Sequence, residues 1–479
     1  MKKTLLVILA TLLLFTAACS GGGGATTTTT PTAITTATTT AAPAVMPADL
    51  APVSIDLIAE GYPTDGTYHA ETDYPYQTSG NYLFVEEANR YYFLVGEYLM
   101  YADADTMEIQ ALCKKEGCRH NDKFSSRADR RACDAYFPSG YLRTLGYQNG
   151  RIYLTHGTAD DSAYLVVSIN PDGTDRREEL RMEADRDIHY PMASLFHRGQ
   201  FYCLWTRMDA EENKTGELWS WSLSQPDAEP VLLYEAQNAT TYYWGSLANM
   251  RAYGNYLCLQ EIVEVLETVE VGDNGSFTLV SSVELLLDLN TGEWTVQEVP
   301  EGYTFEYFRL TDEGIVSRYH PATAPKSEVY EGDGFGSSNI YWDEYLVYRL
   351  DPVSGSREIV EDYPWDYEFS GDYGFAYEDN FDDPYSSVLH ICDREGNAVT
   401  ELSFENIYGQ KKENTADFIL RNASCLVYPM PDGKVILQTE QNSSSTNLIY
   451  YYFDAADIAG GEIEVHEFLR GAMSDFFTT

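Results

Sequence analysis

Three cysteines and a histidine stand close together in this chain. Cys113, Cys118 and His120 form Cys-x4-Cys-x-His, and Cys133 follows in Cys133-Asp134-Ala135-Tyr136. Three thiolates and an imidazole are a closed tetrahedral donor set for Zn²⁺, whose borderline softness suits sulfur and nitrogen. The spacing is that of no standard zinc finger. An oxidising compartment would instead join two of the sulfurs, Cys113 to Cys118 or to Cys133, and leave one cysteine over. Zinc, a disulfide and free thiols therefore all stand open for the loop 113–133. Either bonded form staples a long loop and needs no further chemistry. Cys203, Cys258, Cys392 and Cys425 lie within apolar runs, where a small sulfur side chain is expected to fill core.

The remaining cysteine has a different role. Cys19 follows Met1-Lys2-Lys3, an apolar run from Leu5 to Phe15, and the small residues Ala17-Ala18. That order is the pattern of a bacterial lipoprotein signal peptide over residues 1–18, with lipid carried on Cys19. Thr16 departs from it, because the lipobox usually has Leu there; the alternative is an ordinary secretory signal cut near Ala18. The apolar run is shorter than the ~20 residues of a membrane span. Residues 19–50 hold four successive glycines and then Thr repeats broken by Ala and Pro. Nothing in that linker can bury a core, so a disordered tether is expected, reaching about 100 Å when stretched. The expected location is the extracellular face of a bacterial cell membrane, with the membrane as a partner through the lipid on Cys19.

Other chemistry is sparser. Asp379-Asn380-Phe381-Asp382-Asp383 is the densest oxygen cluster and the place for Ca²⁺, without the ordered spacing of an EF-hand. Tyr242-Tyr243-Trp244, Tyr341-Trp342 and Tyr363-Pro364-Trp365-Asp366-Tyr367 set aromatic rings beside acids and amides. Such loops either stack on sugars and peptides or pack one sheet on the next. No Gly-x-Ser-x-Gly elbow and no phosphate loop occur, and His466-Glu467 lacks the second histidine of a zincin. Gly332-Asp333-Gly334-Phe335-Gly336 lies between strand segments and reads as part of a flexible insertion, 321–339. With 75 acidic residues, paired carboxylates arise by chance, so no glycosidase pair stands out. Asp288-Leu289-Asn290-Thr291-Gly292-Glu293-Trp294 is a loose echo of a sialidase Asp-box.

The acids outnumber 31 basic residues and give a formal charge of −44, which becomes −46 once Lys2 and Lys3 leave with the leader. A surface of that sign repels nucleic acid and anionic head groups. It favours cationic or uncharged ligands and keeps an exported protein soluble.

The elements that must position these groups recur about every fifty residues. A Gly-containing turn, an aromatic or aliphatic strand, a second strand, an Asp/Asn/Gly turn and a third strand follow one another. Copies start at Gly96, Asn149, Arg198, Gly254, Asp312, Ser370 and Asp432. The strand segments alternate or form short apolar runs, and no stretch keeps a helical period. One small sheet cannot bury both faces alone, and stacking such sheets around an axis does so. The reading is all-β, a seven-bladed β-propeller over 51–479, with Val53-Ser54-Ile55-Asp56-Leu57-Ile58 adding a strand to the last blade to close the ring. Tandem β-sandwiches are the competing architecture.

Tyr98-Leu99-Met100-Tyr101, Leu112-Cys113, Gly117-Cys118-Arg119-His120-Asn121-Asp122 and Cys133-Asp134-Ala135-Tyr136 together resemble a group of uncharacterised β-propeller lipoproteins of clostridial and other gut Firmicutes. In that group a Cys…Cys-x-His…Cys-x-Ala stretch recurs after the first blade. The resemblance covers the leader, this loop and the repeat; the insert 123–132 departs from it in being longer and more basic. It implies fold and location and brings no activity with it. The expected function is a binding or scaffold module for a wall glycan, a peptide or an exported protein. An exported glycan-active hydrolase or lyase, with its site at the channel mouth, is the alternative. A solute-binding lipoprotein is disfavoured, because those alternate strands with helices.

Overall fold

The structure, a computed structural model, describes residues 46–472. It leaves out 49, 68, 70–72, 74–84, 88, 96, 119–131, 139–142, 159, 186, 226, 243–244, 272–274, 312–313, 324, 330–337, 362, 365–366, 371, 379–387, 404–424, 431 and 442–446. Among the described residues, thirty strands make seven four-stranded antiparallel sheets and one small hairpin. Blade 1 is β1 (Val85–Glu87), β2 (Arg90–Val95), β3 (Tyr98–Asp103) and β4 (Ile109–Ala111). Blade 2 is β5 (Leu145–Gln148), β6 (Arg151–Gly157), β7 (Ala163–Ile169) and β8 (Arg177–Glu183). Blade 3 is β9 (His189–His197), β10 (Gln200–Met208), β11 (Lys214–Ser222) and β12 (Val231–Glu235). Blade 4 is β13 (Leu247–Tyr253), β14 (Tyr256–Val271), β15 (Gly275–Asp288) and β16 (Trp294–Val296).

Blade 5 is β17 (Tyr303–Thr311), β18 (Gly314–Pro321), β21 (Leu346–Leu350) and β22 (Arg357–Ile359), with the hairpin β19 (Lys326–Val329) and β20 (Ser338–Tyr341) inserted between its middle strands. Blade 6 is β23 (Glu368–Ser370), β24 (Tyr373–Glu378), β25 (Val388–Cys392) and β26 (Ala398–Ser403). Blade 7 is β27 (Cys425–Pro429), β28 (Lys434–Gln441), β29 (Asn447–Asp454) and β30 (His466–Ala472); a short helix α1 (Ala455–Gly460) fills its last turn. The fold is a seven-bladed β-propeller. Among the described residues no helix is long and apolar enough to cross a membrane.

The strands follow from their sequences. β7 reads AYLVVSI and is buried along its whole length, as a strand covered on both faces must be. Its outer neighbour β8, REELRME, faces solvent with charges and so blunts the sheet edge. Apolar clusters fill the seams between blades. Leu204, Leu218, Leu257 and Leu285 join blades 3 and 4. Phe196, Trp205 and Trp221 meet Tyr153 and Tyr164 between blades 2 and 3.

Because neighbouring strands are antiparallel, the first–second and third–fourth turns of every blade share one end of the ring. These are the repeated turns seen in the sequence. Asn149 and Gly150 carry φ of 52° and 73°, and Arg198 and Gly199 carry 44° and 77°. Two successive residues in the left-handed region are the mark of the tight turn that matches strand twist. Blade 1 begins one strand earlier than the repeat suggests. Its first turn holds Asn89 at φ 64°, and the segment Tyr98–Tyr101 taken as the opening strand is part of the third.

The N-terminal segment does not close the ring. Blade 7 takes all four strands from 425–472 and blade 1 all four from 85–111. Residues 53–58 pair with no strand of either blade. They belong instead to a strap that lies against blades 3 and 4, where Leu57 enters the apolar cluster at 1% exposure. Among the described residues the ring closes by side chains: Tyr91, Phe93 and Met107 of blade 1 pack on Tyr428, Ile436 and Tyr450 of blade 7, and the Tyr91 hydroxyl donates to Asp432.

Candidate functional site

The end of β4 delivers Cys113 to the outer edge of blade 1. A turn closed by the Cys118 N–H on the Lys115 carbonyl (3.1 Å), with Gly117 at φ 72°, brings Cys118 back toward it. Cys133 arrives from the far side of the loop. There, 135–137 runs beside the start of β3: the Leu99 N–H donates to the Ala135 carbonyl at 2.9 Å and the Phe137 N–H to the Glu97 carbonyl at 2.7 Å. The three sulfurs end within 4.8 Å of one another. Cys113 and Cys133 are buried and Cys118 is half-buried. The walls are Tyr98, Ala111 and Ala135, with Met100 and Tyr136 behind them.

Two cations border this pocket. Lys115 Nζ donates to the Ala132 carbonyl. Arg176, just before β8, donates to the carbonyls of Asp134 (3.1 Å) and Tyr136 (2.7 Å), and its guanidinium lies 4.1 Å from the Phe137 ring centre. The loop thereby ties the rim of blade 1 to blade 2. Burial, first of all, pushes the Cys133 thiol well up from its ordinary range; the Ala135 N–H opposes this, and the neighbouring sulfurs of Cys113 and Cys118 push it further up.

His120, the fourth member of the sequence constellation, lies outside the described residues, as do Cys19 and the acidic run 379–383. Cys203, Cys258 and Cys392 are buried in strands, in keeping with their reading as core. Cys425 lies in β27. Of the aromatic loops, Trp342 stacks on His320 of its own blade, ring centres 3.8 Å apart, and donates Nε1–H to the Thr323 carbonyl at 2.9 Å. That ring packs within its blade. Tyr243, Trp244, Trp365 and Asp366 lie outside the described residues. The insertion 321–339 contributes to the paired arms of β19 and β20; residues 332–336 lie outside the described residues. Asp288 accepts from the Asn290 N–H (2.8 Å) and the Asn255 side chain (3.1 Å), so the Asp-box echo is the closing acid of a turn.

A second constellation escaped the sequence reading. Arg198 is wholly buried in the first turn of blade 3, and all five of its N–H groups have acceptors. Nε and NH2 form a fork on the two oxygens of Asp73, both at 2.9 Å. NH1 donates to the carbonyls of Pro63 (2.8 Å) and Asp65 (2.9 Å), and NH2 also to that of Thr67 (2.9 Å). His197 donates Nε2–H to the Gly254 carbonyl at 2.7 Å. The strap is held at further points: Ala48 on Gln237, Val53 on Gly292, Ala59 on Arg198 and the Tyr62 hydroxyl on Asn149. Gly66 packs against the Pro352 backbone in blade 5. Most of these partners lie in first–second or third–fourth turns, so the strap covers that end of the ring across blades 2 to 5.

The opposite end carries projections. β13 pairs with β14 only as far as Glu261, yet β14 and β15 continue together to Val271 and Gly275 as a two-stranded arm. The hairpin β19–β20 leaves blade 5 at the same end.

No protein-family model matches the chain, and no curated protein matches it. Solved structures do. One is a prolyl endopeptidase, 10% identical over 83% of this chain and 50% of that one, with a TM-score of 0.44. Another is the β-propeller domain of the Trilobed protease from Pyrococcus furiosus, described as having an open velcro topology: 8% identical over 86% and 99% of the two chains, with a TM-score of 0.40. A third is an oligogalacturonate lyase in complex with manganese, 9% identical over 78% and 90%, with a TM-score of 0.38. The chain spans half the length of the prolyl endopeptidase it matches.

Proposed function

We propose that this chain is a lipid-anchored propeller on the outer face of a bacterial membrane, and that it binds a wall glycan, a peptide or an exported protein through the end of the ring that bears the hairpins. The observation that carries this reading is the asymmetry of the two ends. One is occupied by the strap and its Arg198 pin, while the other extends the β14–β15 arm and the β19–β20 hairpin from adjacent blades. The formal charge of −44 favours an uncharged or cationic ligand.

A glycan-active hydrolase or lyase would need acids and a base drawn from several blades to one mouth. Among the described residues the ion pairs of the ring stay inside single blades: His189 and Arg207 with Glu217 and Arg207 also with Glu235 in blade 3, Arg318 with Glu306 in blade 5, and His390 with Glu378 and Glu401 in blade 6. Binding is the reading that fits this distribution.

The test uses the soluble body from residue 46 onward on glycan and peptide arrays, with crosslinked capture from cell-wall extract. A ligand should appear, and its affinity should fall at least tenfold when Lys326–Tyr341 is replaced by a short turn. Silence on both arrays with no crosslinked partner overturns the binding role. A ligand that is indifferent to this replacement overturns the assignment of the face.

A further inference from the structure

We propose that Cys113, Cys118 and Cys133 hold one Zn²⁺ as three thiolates, and that this ion ties the outer edge of blade 1 to blade 2. The inference is independent of what the hairpin end binds. A disulfide needs two sulfurs and is indifferent to the place of a third. Here one turn brings Cys113 and Cys118 together and the far side of the loop adds Cys133, and all three sulfurs lie within 4.8 Å of one another. Tetrahedral zinc with Zn–S of about 2.3 Å sets its sulfurs roughly 3.8 Å apart, a separation this cluster admits with small side-chain rotations.

The donor chemistry selects the ion. Thiolates are soft, so Ca²⁺ and Mg²⁺, which take oxygen, are excluded from this pocket. Charge also matches. Three thiolates around a dication leave one net negative charge, and the cations of Lys115 and Arg176 are anchored on carbonyls of 132, 134 and 136, immediately beside Cys133. Packing shows what the ion would hold. A side chain on Gly173, in the third–fourth turn of blade 2, would come within 3.1 Å of the Cys113 backbone nitrogen. The cysteine loop and blade 2 thus touch at backbone distance, and fixing the loop fixes the seam. The site is a structural staple, with three protein ligands from the described residues.

The experiment uses the whole mature chain, purified without chelator under reducing conditions, and Zn²⁺ or Co²⁺ alone as the probe. Elemental analysis should find one zinc per chain. Exchange for Co²⁺ should give the intense thiolate-to-cobalt charge-transfer band of a three-sulfur site. The metal content should fall at least tenfold in Cys133→Ser and stay unchanged in Cys203→Ala, whose sulfur is buried elsewhere. The cobalt spectrum of the unmodified chain decides the matter even if Cys133→Ser fails to fold. Less than half an equivalent of zinc after reconstitution, or a cobalt spectrum without the charge-transfer band, overturns the proposal. So does a mass spectrum of the protein purified without reductant that shows two of these three cysteines joined to each other.

Discussion

His156 shows how a single buried ring couples this fold to acidity. It is 4% exposed, donates Nδ1–H to the Gly157 carbonyl at 2.7 Å, and meets the Phe137 ring edge-on. Burial, chiefly, and then the positive charges of Arg176 and Arg143 push its pKa from 6.5 down to about 4; the Gly157 hydrogen bond opposes them. The folded chain therefore refuses a proton that the unfolded chain accepts at 6.5. Between those values the unfolded state binds more protons, so stability falls as pH drops from 6.5 toward about 4, by roughly 3 kcal/mol in all. His156→Gln should flatten this limb. Urea midpoints at about pH 7 and about pH 5 measure it, and a variant that keeps the full difference between them refutes the assignment. At this scale the cysteine cluster was legible because type and spacing both pointed to it. Arg198 was not, because the acid that fills its fork lies 125 residues earlier and nothing local marks the pair.

The strap and the turns beneath it belong to the next scale. Gly292 sits at φ 71° in the third–fourth turn of blade 4, and a side chain there would come within 2.1 Å of the Val53 carbonyl oxygen. Gly355, in the corresponding turn of blade 5, has φ 70° and open space around it. Both pay about 1–2 kcal/mol for a left-handed Ala, and only the first must also expel the strap. Gly292→Ala should open residues 48–67 to protease at least tenfold faster, while Gly355→Ala should lower stability and leave that cleavage unchanged. Equal cleavage in the two variants sinks the docking argument. The repeat was readable wherever a turn used glycine, as at Gly150, Gly199 and Gly254. It was mis-phased at blade 1, where Asn89 takes the left-handed conformation without advertising it.

Across the whole molecule, blades 1 through 5 and the pairs 6–7 and 7–1 share mixed apolar clusters. On the side of blade 5 toward blade 6, Val316 and Val347 cluster with Tyr307, Val360 and Tyr363, and Arg309 donates to the Tyr367 carbonyl at 2.6 Å. That the ring has seven sheets was legible in the turn spacing. How its ends meet was not, because closure rests on Tyr91, Phe93 and Tyr450, residues with no pattern of their own. The strap has a mechanical consequence. A pull on the chain from before residue 46 reaches Ala48 first, then Val53, Leu57, Ala59 and Tyr62, and only last the loop gripped by Arg198. Tension would unzip the attachment contact by contact toward its strongest grip, so the disc would yield length to a tug before it gave up its hold.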